Sequence, residues 1–197
     1  MRAVMRKIAK ILNSLTRGQL KPDHVTMLSL LGHFLIFWMI IGDHTLRAGV
    51  LLVVFGLMDA LDGELARLQG KAGPKGMILD ASSDRIKEGL LFSALVYRFA
   101  NYEEPVWAMV VAITLSGAFA VSYIKAKGET AVASKLKDAN KANRFFQDGL
   151  MRYEIRMALF VAGLLYVPIL KPAVILIAVL SWLTAAYRLQ RITSFFK

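Results

Sequence analysis

Cysteine is missing from this chain altogether, so it forms no disulfide and offers no thiolate to a metal. Histidine is scarce: His24, His33 and His44 are the three, and none has a second histidine or cysteine at ligand spacing. Proline is held to five residues, and 14 acidic residues stand against 25 lysines and arginines. The most consequential scarcity is of charge over long stretches. Residues 106–124 carry no charged side chain in 19 positions, enough for a helix to cross hydrocarbon. With 56% apolar residues and a mean hydropathy of +0.50, the composition excludes an ordinary small soluble domain.

Further apolar runs cover 25–41, 48–68, 77–99, 157–170 and 173–189. They predict an all-α integral membrane protein with six transmembrane helices in one catalytic domain, residues 23–197. Residues 1–22 precede it. Lys7 and Lys10 interrupt any signal-peptide core there. Val4, Ile8, Ile11, Leu12 and Leu15 instead recur at helical spacing, with Arg6, Lys7, Lys10 and Arg17 elsewhere around the wheel. That pattern predicts an amphipathic interfacial helix whose cations sit near anionic head groups. Pro22 is expected to end this surface helix, and Asp23 to cap the first span.

The net charge of +11 does not point to nucleic acid. Arg2, Arg6, Lys7, Lys10, Arg17 and Lys21 come before the first span, Lys71 and Lys75 between the second and third, and Arg188, Arg191 and Lys197 after the sixth. The link between the fourth and fifth is also basic, whereas the alternate loops keep only Arg47, Arg98 and Lys171. The positive-inside rule then puts both termini on the cytoplasmic side of a multi-pass membrane protein. Residues 128–148 read as a polar cytoplasmic loop with room for a surface helix, in which Lys135, Lys137 and Lys141 are simply solvated.

Two of the apolar runs carry acids. Asp59, Asp62, Asp80 and Asp84 follow one another at intervals of three, eighteen and four residues. Intervals of three and four put each pair on one face of a helix. Ionisable groups at membrane depth are expensive and face a cavity or a partner. Four carboxylates gathered together repel unless cations lie between them, and hard divalent cations, Mg²⁺ first, are the natural occupants. Gly63, Gly70, Gly73 and Gly76, with Pro74, open the turn between the two pairs, and Arg67 adds a forked donor suited to phosphate. The plainer alternative is that these glycines serve helix packing and Arg67 merely extends to the interface. Lys125, Arg152, Arg156 and Arg188 fall at the cytoplasmic ends of spans, which points to an anionic substrate or to positive-inside anchors.

The pattern Asp59-x-x-Asp62-Gly63-x-x-Ala66-Arg67, eight residues, Gly76-x-x-x-Asp80-x-x-x-Asp84 resembles the signature of the CDP-alcohol phosphotransferases. The resemblance extends to the basic leading helix, a Pro-Asp-x-x-Thr segment at 22–26 and six spans. It implies a homodimeric integral membrane enzyme, active site facing the cytoplasm, that moves a phosphatidyl-type group from a CDP-linked lipid to an alcohol and releases CMP. By this resemblance Asp59, Asp62, Asp80 and Asp84 are metal ligands for two Mg²⁺ ions, with Mn²⁺ an alternative, and Asp84 is also the general base. Gly63, Ala66, Arg67 and Gly76, with Thr26, become contacts of the CDP-lipid donor.

Ser122-Tyr123-Ile124-Lys125-Ala126-Lys127 resembles a segment of the phosphatidylinositol-phosphate synthases within that family. The resemblance makes Lys125, Arg156 and Arg188 the pocket for the phosphate of inositol phosphate, the donor being CDP-diacylglycerol. Arg152-Tyr153-Glu154-Ile155-Arg156 departs from the usual Glu-Arg-Pro-Glu-Arg, which leaves other phosphorylated alcohols open, glycerol 3-phosphate first. An archaeal-type lipid donor is open too. A cation transporter is the reading from another class. It requires polar positions along the whole path, yet the outer halves of the spans are nearly plain apolar. A scaffold without catalysis leaves the cost of the intramembrane carboxylates unexplained.

Overall fold

The computed structural model describes residues 2–136 and 149–196, with Arg2 and residues 134–136 by backbone alone. Every regular element among them is helical: α1 Arg2–Leu15, α2 Pro22–Ile41, α3 Thr45–Leu68, α4 Pro74–Asn101, α5 Pro105–Leu136, α6 Tyr153–Leu165, a 3₁₀ turn Val167–Ile169, and α7 Leu170–Phe195. Among the described residues three segments are long and apolar enough to cross a membrane: Pro22–Ile41, Pro105–Ala133 and Val167–Phe195. The chain divides into two compact units, Met1–Arg98 and Phe99–Lys197.

In the first unit α2 and α1 both pack on α3. Gly32 lets the α2 backbone lie against the Phe55 ring, where any Cβ would overlap it. Beside that contact Ser29 Oγ donates to the Phe55 carbonyl at 3.1 Å. Met5 and Ala9 of α1 are buried, whereas Val4, Ile8, Ile11 and Leu15 form an exposed apolar stripe. Gln69 Nε2 fastens the end of α3 to α1, donating to Asn13 Oδ1 and the Leu20 carbonyl, each at 2.8 Å. Three ion pairs tie α4 along its length: Lys75 to Asp23 at 3.1 Å, Lys87 to Asp59 at 2.5 Å and Arg98 to Asp43 at 2.8 Å.

The end of α3 is set by glycine. Gly70 takes a φ of +65°, Lys71 N–H donates to the Ala66 carbonyl and Gly70 N–H to that of Arg67, which stops the helix and throws the chain into the glycine-rich turn. At the other end of the unit Asp43, at φ +62°, plays the same part after α2 and then receives Arg98.

In the second unit α5 and α6 pack on α7. Gly117 of α5 admits Trp182, whose Nε1 donates to the Ile113 carbonyl at 3.3 Å. Lys171 joins Glu104 at 2.8 Å and lies over the rings of Phe99 and Trp107.

Several boundaries differ from the expectation. Pro22 does not end the first helix. That helix stops at Leu15, before Arg17 and Gly18 at positive φ, and Pro22 opens α2, where its preset φ and missing N–H cost nothing. Lys21 rather than Asp23 is the N-cap residue, without a side-chain bond, and Asp23 turns to Lys75. The polar loop expected from 128 is helical to Leu136, since alanines and the i,i+4 pair Lys125–Glu129 continue α5 through Gly128. Lys137 and Lys141 lie outside the described residues, as does the side chain of Lys135. The run 157–170 is broken at Tyr166, where the backbone is extended and Pro168 starts the 3₁₀ turn, so α7 begins at Leu170 rather than at 173.

Candidate active site

The last turns of α3, the glycine-rich turn and the first turns of α4 enclose one cavity of about 870 Å³, completed by Lys21, Pro22, Asp23 and Thr26. Asp59, Asp62, Gly63, Ala66 and Arg67 reach it from α3, and Gly76 and Asp80 from α4. Local sequence accounts for this. Asp59, Asp62 and Ala66 recur at helical spacing near the C-terminal end of α3, and Pro74 starts α4 so that Gly76 and Asp80 fall in its opening turns. A Cβ on Gly76 would meet nothing within 4 Å, so this side of the cavity is open to a bulky occupant. The volume is that of a pocket for a nucleotide-sized ligand.

The acids are close enough to feel one another: Asp62 the charges of Asp59 and Asp80, and Asp84 those of Asp80 and Asp59. Asp84, one turn beyond Asp80 and partly buried, does not line the cavity. Two acids already hold partners. Thr26 Oγ1 donates to Asp62 Oδ2 at 2.5 Å, and Lys87 Nζ is 2.5 Å from Asp59 Oδ1. Arg67 is exposed and held by Glu64 at 2.8 Å.

Among the described residues no three carboxylates or histidines are gathered about one point as a metal requires. The donor set nevertheless fits a hard divalent cation: four mutually repelling carboxylates, three of them on one cavity. To bind an ion through the oxygens now engaged, Asp59 would leave Lys87 and Asp62 would leave Thr26.

The second unit holds the basic residues singled out in sequence. Arg156 and Arg188 are buried, 1% and 4% exposed, and near enough to repel each other. Each donates to a main-chain carbonyl, Arg156 Nη1 to Met151 at 2.9 Å and Arg188 Nη1 to Val121 at 3.0 Å. Lys125 is 3.7 Å from Glu129, and that carboxylate also acts on Arg188. Thr184 Oγ1 accepts from Met151 N–H at 3.2 Å. Gly149, at φ +149°, lies so close that an added Cβ would stand 2.9 Å from Thr184 and 3.1 Å from the Arg188 guanidinium. Arg152 is exposed.

Sequence reasoning missed Lys87, Arg85 and Glu88. Lys87 and Glu88 are wholly buried, and Arg85 pairs with Glu88 at 2.5 Å. The signal for Lys87 was available: Asp80, Asp84 and Lys87 follow the same three- and four-residue spacing that places the acids on one face.

Residues 19–187 match the family described as CDP-alcohol phosphatidyltransferase. An archaetidylinositol phosphate synthase of Pyrococcus horikoshii is 29% identical over 187 residues, covering 93% of this chain and 88% of the relative. A phosphatidylinositol phosphate synthase of Mycobacterium marinum is 31% identical over 202 residues, covering 93% and 80%. In fold, the chain is similar to the crystal structure of Mycobacterium tuberculosis phosphatidylinositol phosphate synthase with CDP-DAG bound, at a TM-score of 0.80 and 24% identity over 96% of this chain and 94% of that one. The same enzyme in complex with manganese and citrate matches at a TM-score of 0.80 and 25% identity, over 95% and 88%. A family match spanning most of the chain, over the residues that build the cavity, makes this protein a member of the CDP-alcohol phosphatidyltransferase family.

Proposed function

We propose that this chain transfers a phosphatidyl-type group from a CDP-linked lipid to inositol phosphate, giving a phosphatidylinositol phosphate and CMP. One observation carries the reading: Thr26, Asp59, Asp62, Gly63, Ala66, Arg67, Gly76 and Asp80, far apart in sequence, line a single cavity. The relatives from Pyrococcus horikoshii and Mycobacterium marinum differ in the lipid part of their names and agree on inositol phosphate.

Gly63, Ala66 and Gly76 let the nucleotide and diphosphate of the donor approach the backbone, Thr26 lies at the same wall, and Arg67 turns from Glu64 to a phosphate oxygen. Asp59, Asp62, Asp80 and Asp84 hold the divalent metal, two Mg²⁺ ions or Mn²⁺ in their place. Bound there, the metal supplies charge neutralisation and polarises the diphosphate. Lys125, Arg156 and Arg188 bind the acceptor's phosphate, the two arginines with forked donors in a buried setting. Asp84 takes the proton of the acceptor hydroxyl as its oxygen bonds to the lipid-bearing phosphorus and the bond to CMP breaks.

The membrane frame belongs to the same proposal. Six spans, α2 to α7, form the catalytic domain 23–197, with the site and both termini on the cytoplasmic side by the distribution of basic residues. At 13 residues α6 is about 20 Å long, so crossing a core of roughly 30 Å requires the segments flanking it. The exposed apolar stripe of α1 supports reading Arg2–Leu15, within the leading segment 1–22, as an interfacial helix on anionic lipid. The chain works as a homodimer.

The test is purified protein with CDP-diacylglycerol and Mg²⁺, screened for CMP release with inositol phosphate, glycerol 3-phosphate and free inositol, and repeated with a dialkyl donor. Release with inositol phosphate well above the others is expected. Preference for glycerol 3-phosphate would replace the acceptor, and no release with any alcohol would overturn the assignment.

A further inference from the structure

We propose that Lys87 is a built-in counter-cation of the four-carboxylate cluster, whose charge competes with a divalent metal for the acids. This rests on the reading of the cluster as a metal site. Lys87 is 0% exposed. An ammonium group withdrawn from water is costly unless an opposite charge meets it. Here Asp59 Oδ1 stands 2.5 Å from Nζ. The same ammonium lies within electrostatic reach of Asp62, Asp80 and Asp84. It therefore serves the whole cluster rather than one partner. Arg85, nearby on the same helix, is engaged by Glu88 at 2.5 Å and also acts on Asp84.

The placement has a consequence for metal binding. The Asp59 lone pair that Nζ takes at 2.5 Å is withdrawn from a metal ion, which is left the other oxygen, Oδ2, and the two cations repel across one carboxylate. Lys87 thus holds the carboxylates together while the protein is metal-free and opposes the ion's entry. Removing its charge leaves the empty cluster to repel itself and the loaded cluster with one competitor fewer.

The experiment uses the full chain in detergent micelles. Mn²⁺ affinity is read from the electron paramagnetic resonance of free Mn²⁺, and thermal unfolding is followed in EDTA and in saturating Mn²⁺. Lys87→Met keeps the bulk without charge, and Lys87→Gln keeps a hydrogen-bond donor as well. Both variants are expected to bind Mn²⁺ at least tenfold more tightly than wild type. They should also unfold at a lower temperature in EDTA, with the gap narrowed or closed by Mn²⁺. If the variants fold only when Mn²⁺ is present, the ion is substituting for the lysine, which also supports the proposal. Equal or weaker Mn²⁺ binding by both variants overturns it while leaving the metal site standing, and so does failure to fold even with Mn²⁺. Absence of Mn²⁺ binding in wild type and variants alike overturns the metal site and this inference together.

Discussion

Arg156→Ala separates acceptor binding from donor binding. Arg156 is the largest fully buried side chain among the described residues, at 1% exposure, and its Nη1 donates to the Met151 carbonyl at 2.9 Å. A hydrogen bond from a charged group contributes about 1.5–3 kcal/mol. At about 1.4 kcal/mol per factor of ten, losing the one to the acceptor's phosphate raises its KM about 10- to 140-fold. Truncation also unpairs the Met151 carbonyl, a cost of about 1–3 kcal/mol paid in stability. A lower Tm is therefore expected, and it must be distinguished from the kinetic effect. The assay is CMP release at saturating CDP-lipid with inositol phosphate varied, then the reverse. The KM for CDP-lipid should stay near that of wild type. Free inositol closes the cycle: with no phosphate to bind, wild type and variant should use it equally poorly. Equal rises in both KM values, or an unchanged loss with free inositol, would refute Arg156 as a phosphate ligand and leave it a structural tether of residue 151.

Asp84→Asn should lower CMP release by about 10²–10⁴-fold, the usual worth of a general base, with the helical circular dichroism spectrum unchanged; ordinary turnover would remove the role given to Asp84. Gly32→Ala should destabilise the α2–α3 pair by about 1–3 kcal/mol, because its Cβ lands on the Phe55 ring. The thermal shift should be partly recovered by Phe55→Leu, and an undisturbed Tm would mean the two helices part freely there.

The helices were legible wherever their limits are local. Residues 41 and 68 were expected as span ends and are the last residues of α2 and α3, since the glycines that follow mark the stops within a few positions. The break inside 157–170 was missed because hydropathy alone shows an unbroken apolar run there, although Pro168, which cannot continue a helix, marks it. The extension of α5 to Leu136 was missed for the opposite reason: polarity pointed to a loop with at most a separate surface helix, although the residues concerned are helix formers bearing an i,i+4 ion pair that continue the span. Likewise Arg156 and Arg188 could be named from sequence as cations, but not as buried ones. Their partners are the carbonyls of Met151 and Val121, and a main-chain acceptor leaves no mark on residue identity.

The motif's acids were the most legible part of the site, and counting them alone produced the error beside them. Four carboxylates demanded cations, and the reading drew all of those from solution. One cation was in the chain, three residues past Asp84, on the face the spacing rule had already defined. Charge balance shows why both sources matter. Two divalent ions cancel four carboxylates without help, so with both in place Lys87 has no acid left to balance. The same lysine stands 2.5 Å from Asp59. By the proposal above, the lysine and the ions thus compete for the same negative charge.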